Sequence, residues 1–291
     1  MILSMTGYGK CTVEYQGKRI TAEIKSLNSK ALDLSTRLAP LYREHEMEVR
    51  ALIARRLERG KVDFSLWVEQ DGMQEAARVN VPILMAYKKE ICEASEQLGL
   101  DEPQDWWPLL MRLPDAVEKA PQQELSDEEW KVVSGAVEKA IDALVQFRQQ
   151  EGLALQHKFQ EKLDRIGKLL QDIEPFEKSR VPKIRQRIED GLAAIPNVDY
   201  DRGRLEQEMI YYIEKLDISE EKQRLSNHLR YFRETMEEGH GQGKKLGFIA
   251  QEMGREINTT GSKSNLSEMQ NLVVMMKDEL EQIKEQVLNV M

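Results

Sequence analysis

Apolar residues in the first 70 positions recur at every second residue. Cys11, Val13 and Tyr15 alternate with Lys10, Thr12 and Glu14. After a turn at Gln16-Gly17-Lys18, the residues Ile20, Ala22 and Ile24 alternate with Thr21, Glu23 and Lys25. This spacing predicts a tight two-strand hairpin. Leu32, Leu34, Thr36 and Leu38 share one face of a third strand, and Val62, Phe64, Leu66 and Val68 one face of a fourth. Between these two the period lengthens. After Pro40, the residues Met47, Leu52, Ile53 and Leu57 fall near one side of a helix that Gly60 is expected to end. The order β-β-β-α-β describes a small sheet with a helix across one face.

From about residue 79 the period is helical almost throughout. Val81 to Leu98 forms one helix, opened near Asn80-Val81-Pro82. Trp106-Trp107-Pro108 falls in a linker-like stretch ending near Pro121, with both indoles expected to pack on neighbouring helices rather than stack on bases. Ser126-Asp-Glu-Glu129 is a capping box. The helix it opens carries Trp130, Val133, Val137, Ile141, Leu144 and Phe147, and the same period continues beyond Glu151-Gly152 in Leu155, Phe159, Leu163, Ile166 and Leu170. One long helix and two helices broken at Gly152 are both compatible with it. Pro175 and Pro182 are expected to interrupt before a segment over 184–194.

Residues 200–238 are again helical, with a bend near Asp217-Ile218-Ser219 and Ser219 as the cap of the second part. A flexible connection from Glu238 to Gly243 then leads to a helix over 245–257, a polar loop over 258–265 and a terminal helix. The fold class is α+β, predominantly α. The expected units are a sheet domain over 1–78, a helical bundle or arm over 79–200 and a helical C-terminal domain over 201–291. Long antiparallel helices of this kind commonly mediate assembly.

Composition agrees with that division. A charged fraction of 32% with only 6% aromatics suits long solvated helices, and the persistent apolar period argues against disorder. Cys11 and Cys92 stand far apart with no CxxC pairing, which fits a reducing compartment and excludes a disulfide framework. No apolar run approaches the roughly 18 residues that span a bilayer. The first residues lack a basic segment and a long apolar one, so a cytoplasmic protein with no membrane partner is expected.

The net charge of −9 disfavours indiscriminate coating of nucleic acid, but it is unevenly spread. Residues 1–70 carry 12 basic and 9 acidic side chains, whereas residues 71–200 carry 17 and 25. Lys25, Lys30 and Arg37 on the sheet, with Arg55, Arg56, Arg59 and Lys61 nearby, are ordinary surface cations taken singly. As a set they could line a polyanion groove.

Two dense polar groups break the monotony of the helices. Asp217, Glu220, Glu221, Arg224 and His228 form the first. Gln251, Glu252, Arg255, Glu256, Asn258 and Thr259, followed by Gly261-Ser-Lys-Ser-Asn265, form the second. On a helix Asp217, Glu221, Arg224 and His228 fall in one stripe beside apolar Leu225, Leu229 and Phe232. Glu252, Arg255, Glu256 and Thr259 share a face beside Leu246, Ile249 and Met253. An imidazole among carboxylates suits a divalent ion, and hard oxygen donors suit Mg²⁺ or Mn²⁺ better than structural zinc. Carboxylates four apart are equally compatible with an ion-pair network in which Arg255 supplies the cation, and spacing leaves both open. Asn258, Ser262 and Lys263 offer donors for a phosphate. HExxH is absent. The run before Lys245 is no phosphate loop, because Glu238 stands at its first glycine position and Lys245 at its final Ser/Thr position.

Ser4-Met-Thr-Gly-Tyr-Gly9, Glu23-Ile-Lys-Ser-Leu-Asn28 and Arg59-Gly-Lys-Val62 resemble the amino-terminal half of the YicC/YloC family. Asp217-Ile-Ser-Glu-Glu221, Arg224-Leu-Ser-Asn-His228 and the run from Gly243 to Lys263 resemble its carboxy-terminal half. The resemblance implies a cytoplasmic endoribonuclease that depends on a divalent metal and works as a ring-like homo-oligomer, a hexamer. It implies structured RNA as substrate, with turnover of small regulatory RNA as the role and no DNA partner. Its motif positions on this chain are Asp217, Glu221, Arg224, His228, Glu252, Arg255, Glu256, Asn258 and Lys263.

The chemistry then expected is metal-assisted cleavage of a phosphodiester. Asp217, Glu221, His228, Glu252 and Glu256 would hold Mn²⁺ or Mg²⁺, and Arg224, Arg255 and Lys263 would neutralise transition-state charge. Lys25, Asn28, Lys30, Asn258 and Lys263 would contact RNA. A metal-free route with His228 as acid or base and the 2′-hydroxyl as nucleophile is the chemical alternative. An adaptor oligomer that binds RNA and recruits a separate nuclease is the alternative of another class.

Overall fold

The computed structural model describes residues 2–70, 78–101, 103–117, 125–195, 200–239 and 241–291. Strands β1 (Gly7–Tyr15) and β2 (Lys18–Leu27) pair antiparallel through a two-residue turn. Gln16 and Gly17 both hold positive φ, +47° and +77°, the left-handed pair that lets so short a turn follow the twist of its strands. β3 (Leu32–Leu38) and β4 (Gly60–Gln70) run parallel, joined by a 3-10 turn at Pro40–His45 and helix α1 (Glu46–Arg56). β4 inserts beside β2, so the sheet order is β1-β2-β4-β3.

The sheet sets several details apart from the reading of its sequence. Gly60 does not end the helix, which stops at Arg56. It opens β4 at φ +128°, where an added Cβ would lie 2.7 Å from Ser26 Oγ. Val49, not Met47, joins Ile53 and Leu57 in the core, and Met47 is exposed. Lys18 belongs to β2 and points inward, where its ammonium meets Glu129 at 2.9 Å. The outward face carries Lys10, Arg19, Lys25, Arg37 and Lys61 against Glu14, Glu23, Asp33, Asp63 and Glu69. Cations and carboxylates balance there.

Only the first half of the capping box forms: Ser126 Oγ accepts from Glu129 N at 3.2 Å, while the Glu129 carboxylate turns to Lys18 and Tyr42 instead of back to the cap. It opens α4 (Asp127–Asp172), a single helix of 46 residues that continues through Gly152. At 1.5 Å per residue it is about 70 Å long, which lets one helix serve two cores. Val133, Val137, Ala140, Ile141 and Leu144 close the inner face of the sheet. Leu155, Phe159, Leu163, Ile166 and Leu170 pack a second core against the C-terminal helices. Phe147, between the two, remains partly exposed.

Where the two cores meet, the glycines of the first motif acquire a physical role. Residues Ile2–Thr6 lie across the middle of α4, with Ser4 N donating to Arg148 O at 3.1 Å and Met5 N to Asn289 O at 2.8 Å. A Cβ on Gly152 would stand 2.1 Å from Ile2 O, and one on Gly9 would stand 2.0 Å from Ala140 O. Arg148, 3% exposed, ties the junction by donating to Ser26 Oγ and to the carbonyls of Met5 and Arg59. Burial pushes its guanidinium below the usual arginine range. Gly152→Ala is therefore expected to cost roughly 1–3 kcal/mol by overpacking. Urea unfolding checks this, and a variant as stable as the parent would mean that the N-terminal segment does not rest on α4.

Helix α2 (Val81–Leu98) starts at its Asn80 cap, as the sequence predicts. The Trp106-Trp107-Pro108 stretch is a short helix, α3 (Trp106–Leu110), capped by Asp105, and turns follow as far as residue 117, while the end of that linker near Pro121 lies outside the described residues. Trp106 packs on the small Leu84–Leu110 cluster, while Trp107 is 66% exposed and has no such packing.

α5 (Glu174–Ala193) runs on from α4 after Ile173 and contains Pro182, which therefore does not interrupt it. A proline removes one ladder hydrogen bond. Burial of Arg180 and Ile184 on one flank holds the helix across that gap. α6 (Arg202–Leu216), α7 (Ser219–Glu237), α8 (Gly243–Lys263) and α9 (Ser267–Val287) complete the chain. The connection between α7 and α8 passes through His240, outside the described residues.

Candidate active site

The two polar groups sit on α7 and α8, which pack together with α4 and α9. Leu225, Leu229 and Phe232 of α7 and Leu246, Ile249 and Met253 of α8 enter the same core. With those stripes buried, the polar flanks of the two helices adjoin. Lys263 Nζ lies 2.7 Å from Glu221 Oε1, and Arg224 Nη1 lies 4.0 Å from Glu256 Oε1. The two pairs run in opposite chain directions, so the helices are antiparallel and the seam between them alternates acid and base. That register carries His228 and Glu252 to the next turn along.

The polar loop expected over 258–265 is helix as far as Lys263. Its hydroxyls are spent on the helix itself: Thr259 Oγ1 donates to Arg255 O at 3.1 Å and Thr260 Oγ1 to Glu256 O at 2.8 Å. Ser262 Oγ donates to Thr259 O at 2.9 Å. Side chains that bond back to their own turn need no loop. Gly261 also faces Val273 so closely that a Cβ would lie 3.0 Å from its Cγ1. Lys263 is thus the last helical residue, and Asn258 is exposed on the helix surface.

The bend before α7 also differs in its chemistry. Ser219 is not the capping acceptor. Asp217 Oδ1 accepts from Ser219 N at 3.1 Å and from Ser219 Oγ at 2.6 Å. These bonds hold the Asp217 carboxyl below the usual carboxylate range, with the charges of Lys263 and Arg180 adding to the effect. Asp217 consequently precedes α7 instead of continuing its stripe.

Burial sorts the remaining residues. Glu221 is 6% exposed and Glu256 9%, both deep for carboxylates. Glu221 Oε2 is buried with no hydrogen-bond partner. Arg224 also pairs with Glu220 at 2.5 Å, and Arg255 pairs with Glu252 at 2.7 Å on the exposed side of α8. His228 is half-buried and makes no hydrogen bond or ion pair among the described residues.

These pairs bear on a resident metal ion. Among the described residues no three His, Cys, Asp or Glu side chains gather closely enough to hold one. Glu221, Glu252 and Glu256 each face a lysine or arginine, and Asp217 faces a serine. The donors of a single chain do not fit an ion held by three or more side chains, and the ion-pair network is what the geometry displays.

Of the residues expected to contact RNA, Lys263 and Asn258 belong to α8. Lys25 is paired with Glu23 at 2.7 Å, and Lys30 is exposed. Asn28 donates to Leu288 O at 2.6 Å and so joins the sheet to the end of α9. None of these last three touches the α7–α8 pairs.

Sequence reasoning gave the neighbouring helix α5 no part in the site. Arg180 of α5, 4% exposed, donates from Nη1 to Lys263 O at 3.1 Å. Glu177 of α5 takes Lys222 of α7 at 2.5 Å. Helical periodicity marks Arg180 only as one more charged residue, because its partner is 83 positions away.

The fold and the seam together define an α+β protein whose charged cluster is built between two antiparallel helices and braced by a third. Residues 2–157 match the family model described as the endoribonuclease YicC-like N-terminal region, and residues 173–291 match the one for the YicC-like C-terminal part. The chain belongs to the YicC-like endoribonuclease family. It is 29% identical over 301 residues, all of both chains, to a Clostridioides difficile protein named probable endoribonuclease YicC. It is 28% identical over 300 residues, 99% of each chain, to a Haemophilus influenzae protein of the same name. Among the described residues no helix is long and apolar enough to cross a membrane.

Proposed function

We propose that this protein cleaves structured RNA internally and that the α7–α8 seam is where it does so. The observation that carries this reading is the convergence of Lys263 and Arg224 on a seam that also bears His228, on helices fixed by a shared core. A phosphodiester gains negative charge toward its transition state, and preorganised cations in a partly dry site stabilise that charge best. Lys263 and Arg224 hold those positions, with Arg255 on the outer side of α8. His228, free of partners among the described residues, takes the proton from the attacking 2′-hydroxyl or delivers one to the leaving oxygen. Glu221 and Glu256 orient the cations until phosphate oxygens compete for them.

Dependence on Mn²⁺ or Mg²⁺ is proposed from the resemblance of the motifs alone. Mg²⁺ commonly keeps several waters and takes one or two carboxylates plus substrate phosphates. An ion bound in that way arrives with the RNA, and the steps above belong to the chain's own residues. Small regulatory RNA as the substrate and a cytoplasmic hexamer as the working form are proposed likewise. Exposed Met85, Leu98 and Trp107 of α2 and α3, with Ile210, Tyr211 and Ile213 of α6, support assembly as apolar surface.

The test is cleavage of an end-labelled stem-loop RNA by the purified full-length protein, with EDTA, with Mn²⁺ and with Mg²⁺, followed by analysis of the product ends. Cyclic phosphate ends are expected. A 3′-hydroxyl end would replace the His228 route by attack of water. His228→Ala is expected to lower the rate by about 10²-fold or more while the protein keeps its size on gel filtration. If His228→Ala and Glu256→Gln both break the assembly and leave cleavage by the remaining intact species unchanged, the seam is an assembly joint and the adaptor reading takes its place.

A further inference from the structure

We infer that Arg180 is a positioning residue for cleavage: by holding the last carbonyl of α8 it fixes where the Lys263 ammonium is offered to an RNA phosphate. The inference rests on the reading of the α7–α8 seam as the site.

The final carbonyls of a helix have no partner within it, and the last turn frays unless something accepts the task. At the end of α8 Ser264 Oγ and Gln270 Nε2 take the carbonyls of Thr260 and Gly261, and the carbonyl of Lys263 itself falls to a guanidinium from α5, Arg180 Nη1 to Lys263 O at 3.1 Å. The same residue's side chain reaches the other way, Lys263 Nζ to Glu221 Oε1 at 2.7 Å. Lys263 is therefore held at both ends, its backbone by α5 and its charge by α7. A lysine has four rotatable side-chain bonds, and its ammonium is placed reproducibly only if its Cα is.

The surroundings of Arg180 are built for such a role. Being 4% exposed, it cannot serve solvent or substrate directly. Burial pushes its guanidinium below the usual arginine range, and Glu177 of its own helix and Asp217 of the α6–α7 bend offset part of that cost. Both line, with Arg180, Tyr212 and Leu216, a cleft of about 140 Å³ between α5 and α6. Glu177 in turn binds Lys222 of α7 at 2.5 Å, so one turn of α5 addresses both walls of the seam. Arg185 of α5 grips Glu206 of α6 with two bonds of 2.8 Å, which keeps the hairpin that carries Arg180 in place. A neutral hydrogen bond would suffice for a simple staple. A fixed, planar, permanently charged donor is what precise placement of a carbonyl calls for.

The experiment compares Arg180→Gln, Arg180→Lys, Lys263→Gln and the double variant Arg180→Gln/Lys263→Gln in cleavage of an end-labelled stem-loop RNA, each with a thermal melt. Arg180→Gln is expected to lower kcat by about tenfold or more with KM within about twofold, because misplacement of a catalytic group costs rate and not binding. Arg180→Lys should recover part of kcat. The double variant should cleave no more slowly than Lys263→Gln alone, since both changes disable one device.

Full kcat in Arg180→Gln, beside impaired Lys263→Gln, would overturn the inference and leave the site reading intact. So would multiplying losses in the double variant, which would show that Arg180 acts apart from Lys263. Wild-type cleavage by Lys263→Gln would instead remove the site reading, and the inference with it. Should Arg180→Gln fail to fold, the same comparisons on Arg180→Lys, alone and combined with Lys263→Gln, decide the matter.

Discussion

Glu129→Ala is expected to destabilise the protein by about 3–5 kcal/mol, because it strands a buried cation. Glu129 stands under the sheet with its side chain 5% exposed, and it accepts from Lys18 Nζ at 3.0 Å and 2.9 Å and from Tyr42 OH at 2.8 Å. Lys18 is almost as deep and has no other partner among the described residues. Removing the carboxylate leaves the ammonium and the phenol without an acceptor, beside the cavity the side chain vacated. Burial first, and Glu129 second, push the Tyr42 phenol well above the usual tyrosine range. A raised value means that the contribution of this phenol is whole below its unfolded value of about 10 and fades as pH rises through the folded one. The double replacement Lys18→Met/Glu129→Leu should recover most of the loss, since a buried ion pair is often no more stable than an apolar pair of its volume. Urea unfolding supplies both numbers. Equal stability of Glu129→Ala and the parent would mean that the N-terminal end of α4 does not close the sheet as described.

That same pair shows what the sequence makes legible and what it hides. Alternation of Ile20, Ala22 and Ile24 specifies β2 and its inner face, and the 3.6 period from Val133 to Leu170 specifies α4. Both are local signals, set by which side of an element is apolar. Lys18 lies on the inner face by parity, but its type argues for water, and only Glu129, 111 positions away, resolves the conflict. Non-local partners are the general reason for the misses. Gly60 resembles a helix terminator until Ser26 and Arg148 are seen to crowd it. The Thr259-Thr260-Gly261-Ser262 run resembles a loop until its hydroxyls are found bonded to helix carbonyls.

The site divides along the same line. Both polar groups are conspicuous in the sequence, and the stripes that bury α7 and α8 follow from spacing. Their apposition, Glu221 on Lys263 and Arg224 on Glu256, depends on an antiparallel register that no spacing within one helix contains. Spacing left metal donors and ion pairs as equals. The cations facing Glu221, Glu252 and Glu256 separate the two for a single chain.

Lys263→Met is expected to impair stability and cleavage together, and a second substitution should part them. With the lysine gone, Glu221 is a carboxylate 6% exposed whose Oε1 has lost its ammonium and whose Oε2 has no partner already. Breaking a fully buried pair on one side costs about 3–5 kcal/mol, and because the Lys263 side chain is 30% exposed the loss here is expected below that range, at about 1–3 kcal/mol. Loss of one preorganised donor to transition-state charge costs about 10²–10³-fold in rate. Adding Glu221→Gln removes the stranded charge, and its amide suits a seam with little water, so most of the stability should return. Cleavage should not return, because the positive charge offered to the phosphate is still missing. Unfolding by urea and initial rates on a stem-loop RNA, measured on the same preparations, separate the outcomes. If the double variant regains both, Lys263 acts through folding alone and the chemistry belongs elsewhere on the seam. If it regains stability alone, the lysine is part of the cleaving machinery and Glu221 is what keeps that charge in place when no RNA is bound.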